Sequence, residues 1–254
     1  MAAFLLAGTA LYAQNEVVEK TFDVDDFTGI RADDAFVVTL QEDAEYKVVL
    51  EVTEEFMPYV VVNNKRGVLE LSFGKLPFNL RQKARKRVAR ATISLPRLNY
   101  IALSGASKLS SRDVFTNSMN SFVIALKGAS SIENLELKTP DLDIALDGAS
   151  KAVMKLRCSD VSADLAGASK IVLSGETVDL DLKVKGASRY DGKRFDVEEA
   201  KVEASGASTV DIRVEKKLAV NLAGASKCRY YGDEDKISVK AQKVAGASSL
   251  KHSR

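Results

Sequence analysis

Apolar and polar residues alternate along most of this chain, and beyond about residue 100 the alternation recurs in a fixed frame. Gly-Ala-Ser appears at Gly105, Gly128, Gly148, Gly167, Gly186, Gly206, Gly224 and Gly246, at intervals of 18 to 23 residues. Two positions before each glycine stand Leu103, Leu126, Leu146, Leu165, Val184, Ala204, Leu222 and Val244. Four before most of them stand Ile101, Ile124, Ile144, Ala163, Leu182, Val202 and Val220. Strict period-two alternation is the mark of a strand with one buried face. Four residues after the glycine the chain is again mostly apolar, from Leu109 and Ile132 through Tyr190 to Cys228 and Leu250, which predicts a second strand after every turn.

A repeat of about 20 residues with two strands is too short for a propeller blade and lacks the spacing of a leucine-rich horseshoe. It predicts an all-β protein, a β-solenoid of about eight coils whose inward residues bury one another up and down the stack. The turn itself has a physical rationale. Glycine tolerates a left-handed corner, alanine limits bulk between coils, and the serine hydroxyl can satisfy freed backbone groups. The serines from Ser107 to Ser248 are therefore expected to form a structural ladder, since the chain offers no bases to activate them as nucleophiles.

Both ends of a solenoid need protection from edge pairing. In the final repeat Lys240 and Gln242 take positions that are apolar elsewhere, which predicts a polar last coil. Residues 14–96 are expected to cover the other end. They carry alternating runs at 37–40, 46–52, 58–62 and 68–73, a hairpin connection at Asn63-Asn64-Lys65-Arg66-Gly67 and a single helical turn from Thr53 to Met57. The division is thus 1–13, 14–96 and 97–254, the last being the repeat region.

Residues 1–13, MAAFLLAGTALYA, are apolar and end in a small residue, so they are expected to be the remnant of a secretory signal and the mature chain to be exported. No apolar run is long enough to span a bilayer. With 46% hydrophobic and 28% charged residues the chain is globular, and its net charge of +2 gives no overall field to recruit nucleic acid or membrane. The two cysteines, Cys158 and Cys228, fall about four coils apart, beyond disulfide reach, and are expected to be free.

These residues carry a family resemblance. Phe27-Thr28-Gly29-Ile30, the run Gly67-Val68-Leu69-Glu70-Leu71, Leu95-Pro96-Arg97-Leu98 and the serial Gly-Ala-Ser turns resemble the head GIN domain family of autotransporter adhesins. The resemblance covers most of the chain after residue 20. It implies a right-handed parallel β-helix like that of pectin lyases, export, no conserved catalytic residues, a role in cell adhesion and assembly as a homo-oligomer, a trimer.

Candidate chemistry is sparse. The only histidine is His252, near the terminus, and there is no zinc, EF-hand, Walker or dinucleotide motif, so neither a cofactor nor a metal is expected. Two charged groupings remain. Asp141, Asp160, Asp179 and Glu199 lie seven residues before successive glycines, and Asp143 and Asp181 five before. This places them on an outward face, stacked about 4.8 Å apart, where they could bind a cation or a carbohydrate, serve as acid and base, or simply keep the face soluble. Arg81, Lys83, Arg85, Lys86, Arg87 and Arg90 form a basic run ahead of the repeats that could dock acidic glycans or phosphates, or be a mobile connecting loop. Nucleic acid is disfavoured by export and the lack of interleaved aromatics. The function expected is an exported, non-enzymatic protein that binds glycans or proteins on host or bacterial surfaces. The alternatives are a polysaccharide lyase or glycosidase using the acidic stripe, and a scaffold assembling through its coils.

Overall fold

The computed structural model describes residues 16–117 and 121–253; the signal-like residues 1–13 lie outside the described residues. The N-terminal region folds into β1 (Val17–Phe22), β2 (Gly29–Ala32), β3 (Val37–Glu42), β4 (Lys47–Thr53), β5 (Val60–Lys65), β6 (Val68–Phe73) and β7 (Ala89–Leu95), with the short helix α1 (Phe78–Lys83) before β7. The repeats begin with β8 (Tyr100–Leu103), β9 (Lys108–Ser111), β10 (Val114–Thr116), β11 (Phe122–Leu126), β12 (Ser131–Lys138), β13 (Asp141–Leu146), β14 (Lys151–Arg157) and β15 (Asp160–Leu165). They end with β16 (Lys170–Val184), β17 (Arg189–Ala204), β18 (Thr209–Leu222), β19 (Lys227–Tyr231), β20 (Ser238–Val244) and β21 (Ser249–His252).

Every Gly-Ala-Ser corner joins a leading wall to a trailing wall. The leading wall stacks β8, β11, β13, β15, the C-terminal halves of β16, β17 and β18, and β20, all parallel. The trailing wall stacks β9, β12, β14, the N-terminal halves of β16, β17 and β18, then β19 and β21. The result is a β-solenoid of about seven turns. Its inward positions are those of the sequence code: Ile101, Ile124, Ile144, Leu182 and Val202, for example, are all buried. Each such residue contributes about 1.5–3 kcal/mol, which makes the stack of apolar rows the main source of cohesion.

The corners pack backbone on backbone. Their eight glycines lie at φ between 67° and 81°. From Ala129 to Ala247 each corner alanine donates its N–H to the carbonyl of the glycine one coil earlier, at 2.7–2.9 Å. The serines from Ser107 to Ser226 turn inward and are buried, with Ser169 and Ser188 3.2 Å apart and Ser208 donating to Ser226 at 3.1 Å. They are a structural ladder, as their place in the repeat predicts.

The N-terminal region does more than cover the stack. β2 pairs in parallel with β8 and β3 with β9, so residues 29–42 form a further layer. On the other side of that layer β6 pairs with β2 and β7 with β3. The layer between β6/β7 and β8/β9 is therefore the one that comes first in the chain. Antiparallel pairing of β5 on β6, β4 on β7 and β1 on β4 finishes the end. The expected hairpin joins β5 to β6 through Arg66 and Gly67, both at positive φ, and Asn64 Oδ1 accepts the Gly67 N–H at 3.1 Å. The expected helical turn is a 3₁₀ helix, Glu54–Tyr59, that buries Phe56. Phe73 sits between Phe36 and Phe56, at ring distances of 5.1 and 6.2 Å, and these rings fill the covered end.

The last coil differs from its expectation. A bulge between Ala241 and Lys243 shifts the register, pairing Val239 with Leu218, Ala241 with Val220 and Val244 with Leu222. The inward positions are thus apolar, and Lys240 falls opposite the outward Ala219. One extra residue reverses which side chains face the core. Val239 and Val244 are 37% and 45% exposed.

Candidate functional site

Because strand pairing is in register with the repeat, residues at one repeat position form rows along the solenoid axis. The six acidic candidates lie on the leading wall. Asp141, Asp160, Asp179 and Glu199 stand opposite one another in four successive coils, and Lys217 continues the row. Asp143, Ser162, Asp181 and Lys201 form the next row. The rows are partly neutralised at one end only, by Lys217 on Glu199 at 2.9 Å and Lys201 between Glu203 (2.8 Å) and Asp181 (3.9 Å). The ion pair with Lys201 holds Glu203 below the usual carboxylate range. Around Asp179, Asp181, Glu199, Lys201 and Lys217 the wall has a shallow depression of ≈ 290 Å³. Among the described residues no group of three or more His, Cys, Asp and Glu side chains is placed to hold a metal ion.

The six basic candidates do not form one patch. The segment expected as a loop is α1 followed by a 3₁₀ turn, Ala84–Lys86, anchored by buried Leu80. Arg81 donates to the Leu76 carbonyl at 2.8 Å, Lys83 pairs with Glu55 at 2.7 Å, and Arg90 pairs with Glu51 at 3.1 Å. Arg87 turns inward: its guanidinium lies 4.1 Å from the Phe73 ring centre and 5.8 Å from that of Phe56, and it donates to the Asp34 carbonyl. Burial lowers its pKa. Arg81, Arg85 and Lys86 are exposed and, among the described residues, without an ion pair.

A further charged group escaped the sequence reading. Asp211, on the outward side of the trailing wall, is fully buried beneath two arginines. Arg229 reaches it through both Nε (2.5 Å) and a terminal nitrogen (2.8 Å), and Arg189 at 3.0 Å. The signal was present in the repeat: Asp211 follows Val153, Val172 and Asp191 at one position of the code, Arg229 is next in the row, and Arg189 immediately follows the corner Ser188 of the preceding coil. Both cysteines are buried and free, and burial pushes each thiol up to about 12. Neither is a thiolate near neutral pH.

Solved structures share this architecture. A protein described as a putative adhesin from Parabacteroides distasonis superposes with a TM-score of 0.82 at 17% identity, covering 94% of this chain and 98% of that one. One so described from Parabacteroides merdae gives 0.80 at 17% identity, with 94% and 97% covered. A third, described as a putative lipid binding protein from Parabacteroides distasonis, gives 0.80 at 14% identity, with 94% and 97% covered. At these identities the likeness establishes the fold. No curated protein matches the sequence. Over residues 26–233, however, the sequence matches the family described as "Putative auto-transporter adhesin, head GIN domain", and the chain belongs to that family.

Proposed function

We propose that this chain is an exported, non-enzymatic binding protein of the adhesin kind, which attaches to glycans or proteins on host or bacterial surfaces. The observation that carries the reading is the family match, which extends from the covered end through all but the last coil. The apolar leader at 1–13 supports export. The rows of charged side chains support binding of an extended partner, because each row spans several coils at one repeat position. The homo-oligomer, a trimer, that the family resemblance implies would multiply such contacts.

A binding screen of the exported chain against glycan and matrix-protein arrays at several salt concentrations tests this directly. At least one ligand is expected above background, and silence across both arrays would sink the reading. Cleavage of acidic or neutral polysaccharides that is abolished by Asp160→Asn or Asp179→Asn would replace it with an enzymatic one.

A further inference from the structure

One outward row of the trailing wall is built unlike the others. Elsewhere on the outward side of this wall, opposite charges in neighbouring coils pair: Glu136 with Lys155 at 3.0 Å, Glu176 with Arg157 at 2.7 Å, Asp196 with Arg213 at 3.6 Å. The row immediately after the corner serines contains no carboxylate. Its cations are Lys108, Lys151, Lys170, Arg189 and Lys227, and the remaining members, Ser131, Thr209 and Ser249, carry hydroxyls. Lys151, Lys170 and Arg189 occupy three successive coils, about 4.8 Å apart. Like charges directly opposite one another destabilise a sheet. Arg189 is offset by Asp211, whereas the four lysines are exposed and, among the described residues, make no ion pair. The backbone beneath them is held rigid by corner bonds such as Lys170 N–H to the Ser150 carbonyl at 2.9 Å.

We infer that this row is a binding track for a linear acidic polysaccharide lying along the solenoid axis. The inference rests on the surface-binding reading above and names its ligand class. Every side chain in the row can donate a hydrogen bond, cations to carboxylate or sulfate groups and hydroxyls to the sugar hydroxyls between them. The flanks leave the track open: on one side stand the exposed corner alanines, such as Ala149, Ala168 and Ala187, and on the other the half-buried Val153 and Val172. Glu133 and Asp191 are the uncovered acids of the flanking row. That row brings no aromatic side chain beside the three stacked cations, so a nucleic acid would find no surface on which to stack its bases. The acidic leading wall repels a polyanion and so favours its approach to this side.

The test is titration of the full chain with polygalacturonate and with heparin over a salt series. Lys151→Gln/Lys170→Gln is expected to weaken binding about tenfold and to lower the slope of log K against log salt by about two. Arg85→Gln/Lys86→Gln, on the N-terminal connector, should bind as the wild type does. Circular dichroism and melting temperature verify that both variants fold. Undiminished binding by the Lys151/Lys170 variant, or loss in the Arg85/Lys86 variant instead, overturns the assignment. Equal affinity for a single-stranded oligothymidylate overturns it in favour of nucleic acid. Low-salt sedimentation that shows wild-type oligomers lost in the Lys151/Lys170 variant, with polyanion binding unchanged, reassigns the row to contact between copies. A chain that binds neutral glycans or matrix proteins but neither polyanion refutes the track and leaves the surface-binding reading standing.

Discussion

At the scale of single residues, the corner glycines are not equivalent. A Cβ at Gly167 would lie 2.6 Å from the Gly148 carbonyl oxygen, inside the stack of corners. A Cβ at Gly105 would meet nothing nearer than the Asp34 nitrogen at 3.4 Å. The difference arises because the corner below Gly105 is Asp34-Ala35, itself at positive φ without glycine. Both substitutions to alanine carry the left-handed cost of about 1–2 kcal/mol, but only Gly167→Ala adds a backbone overlap of about 1–3 kcal/mol. Urea denaturation is therefore expected to show Gly167→Ala destabilised by about 3 kcal/mol and Gly105→Ala by about 1 kcal/mol. Equal losses would mean that the corners yield to accommodate a methyl group. Ser107 marks the same boundary. Its hydroxyl has no hydrogen-bond partner among the described residues, and Phe36 stands in the serine's place one layer below.

At the scale of elements, the connector between β6 and β7 shows how a basic run can be structural. Its composition reads as a charged surface, and only the packed fold shows that Arg87 is drawn in over Phe73 and tied to the Asp34 carbonyl. Arg87→Ala removes a partly desolvated cation–π contact and a charged hydrogen bond, and is expected to cost about 2 kcal/mol. Arg85→Ala, exposed on the same segment, should stay within about 0.5 kcal/mol of wild type. Thermal melts of the two variants separate the roles, and matched stabilities would show that Arg87 does not pin the connector. The last coil is the complementary case. Spacing from the glycine counts Lys240 and Gln242 as inward, but the bulge sets Val239 and Ala241 opposite the inward Leu218 and Val220 instead, because one extra residue exchanges the two faces of a strand.

At the scale of the whole molecule, the two ends are finished differently. β1, β4 and β5 close the N-terminal end, while Val239 and Val244 are left partly open at the other. In a quasi-one-dimensional stack each coil is stabilised by its neighbours, so a coil with one neighbour opens first. Hydrogen exchange should accordingly be fastest in β20 and β21 and slowest in β16 and β17, with β6 and β7 closer to the middle than to the end. Uniform protection along the chain would contradict this picture. Side-chain alternation and glycine corners are local properties repeated coil after coil, so the repeat, its corners and the inward and outward residues, the acidic rows included, are legible in the sequence. Packing between distant segments places β2 and β3 between layers formed later in the chain, draws Arg87 and Asp211 into their contacts, and slips the last coil by one residue. Each of these depends on which distant strands and side chains fit together, and no local period encodes that choice.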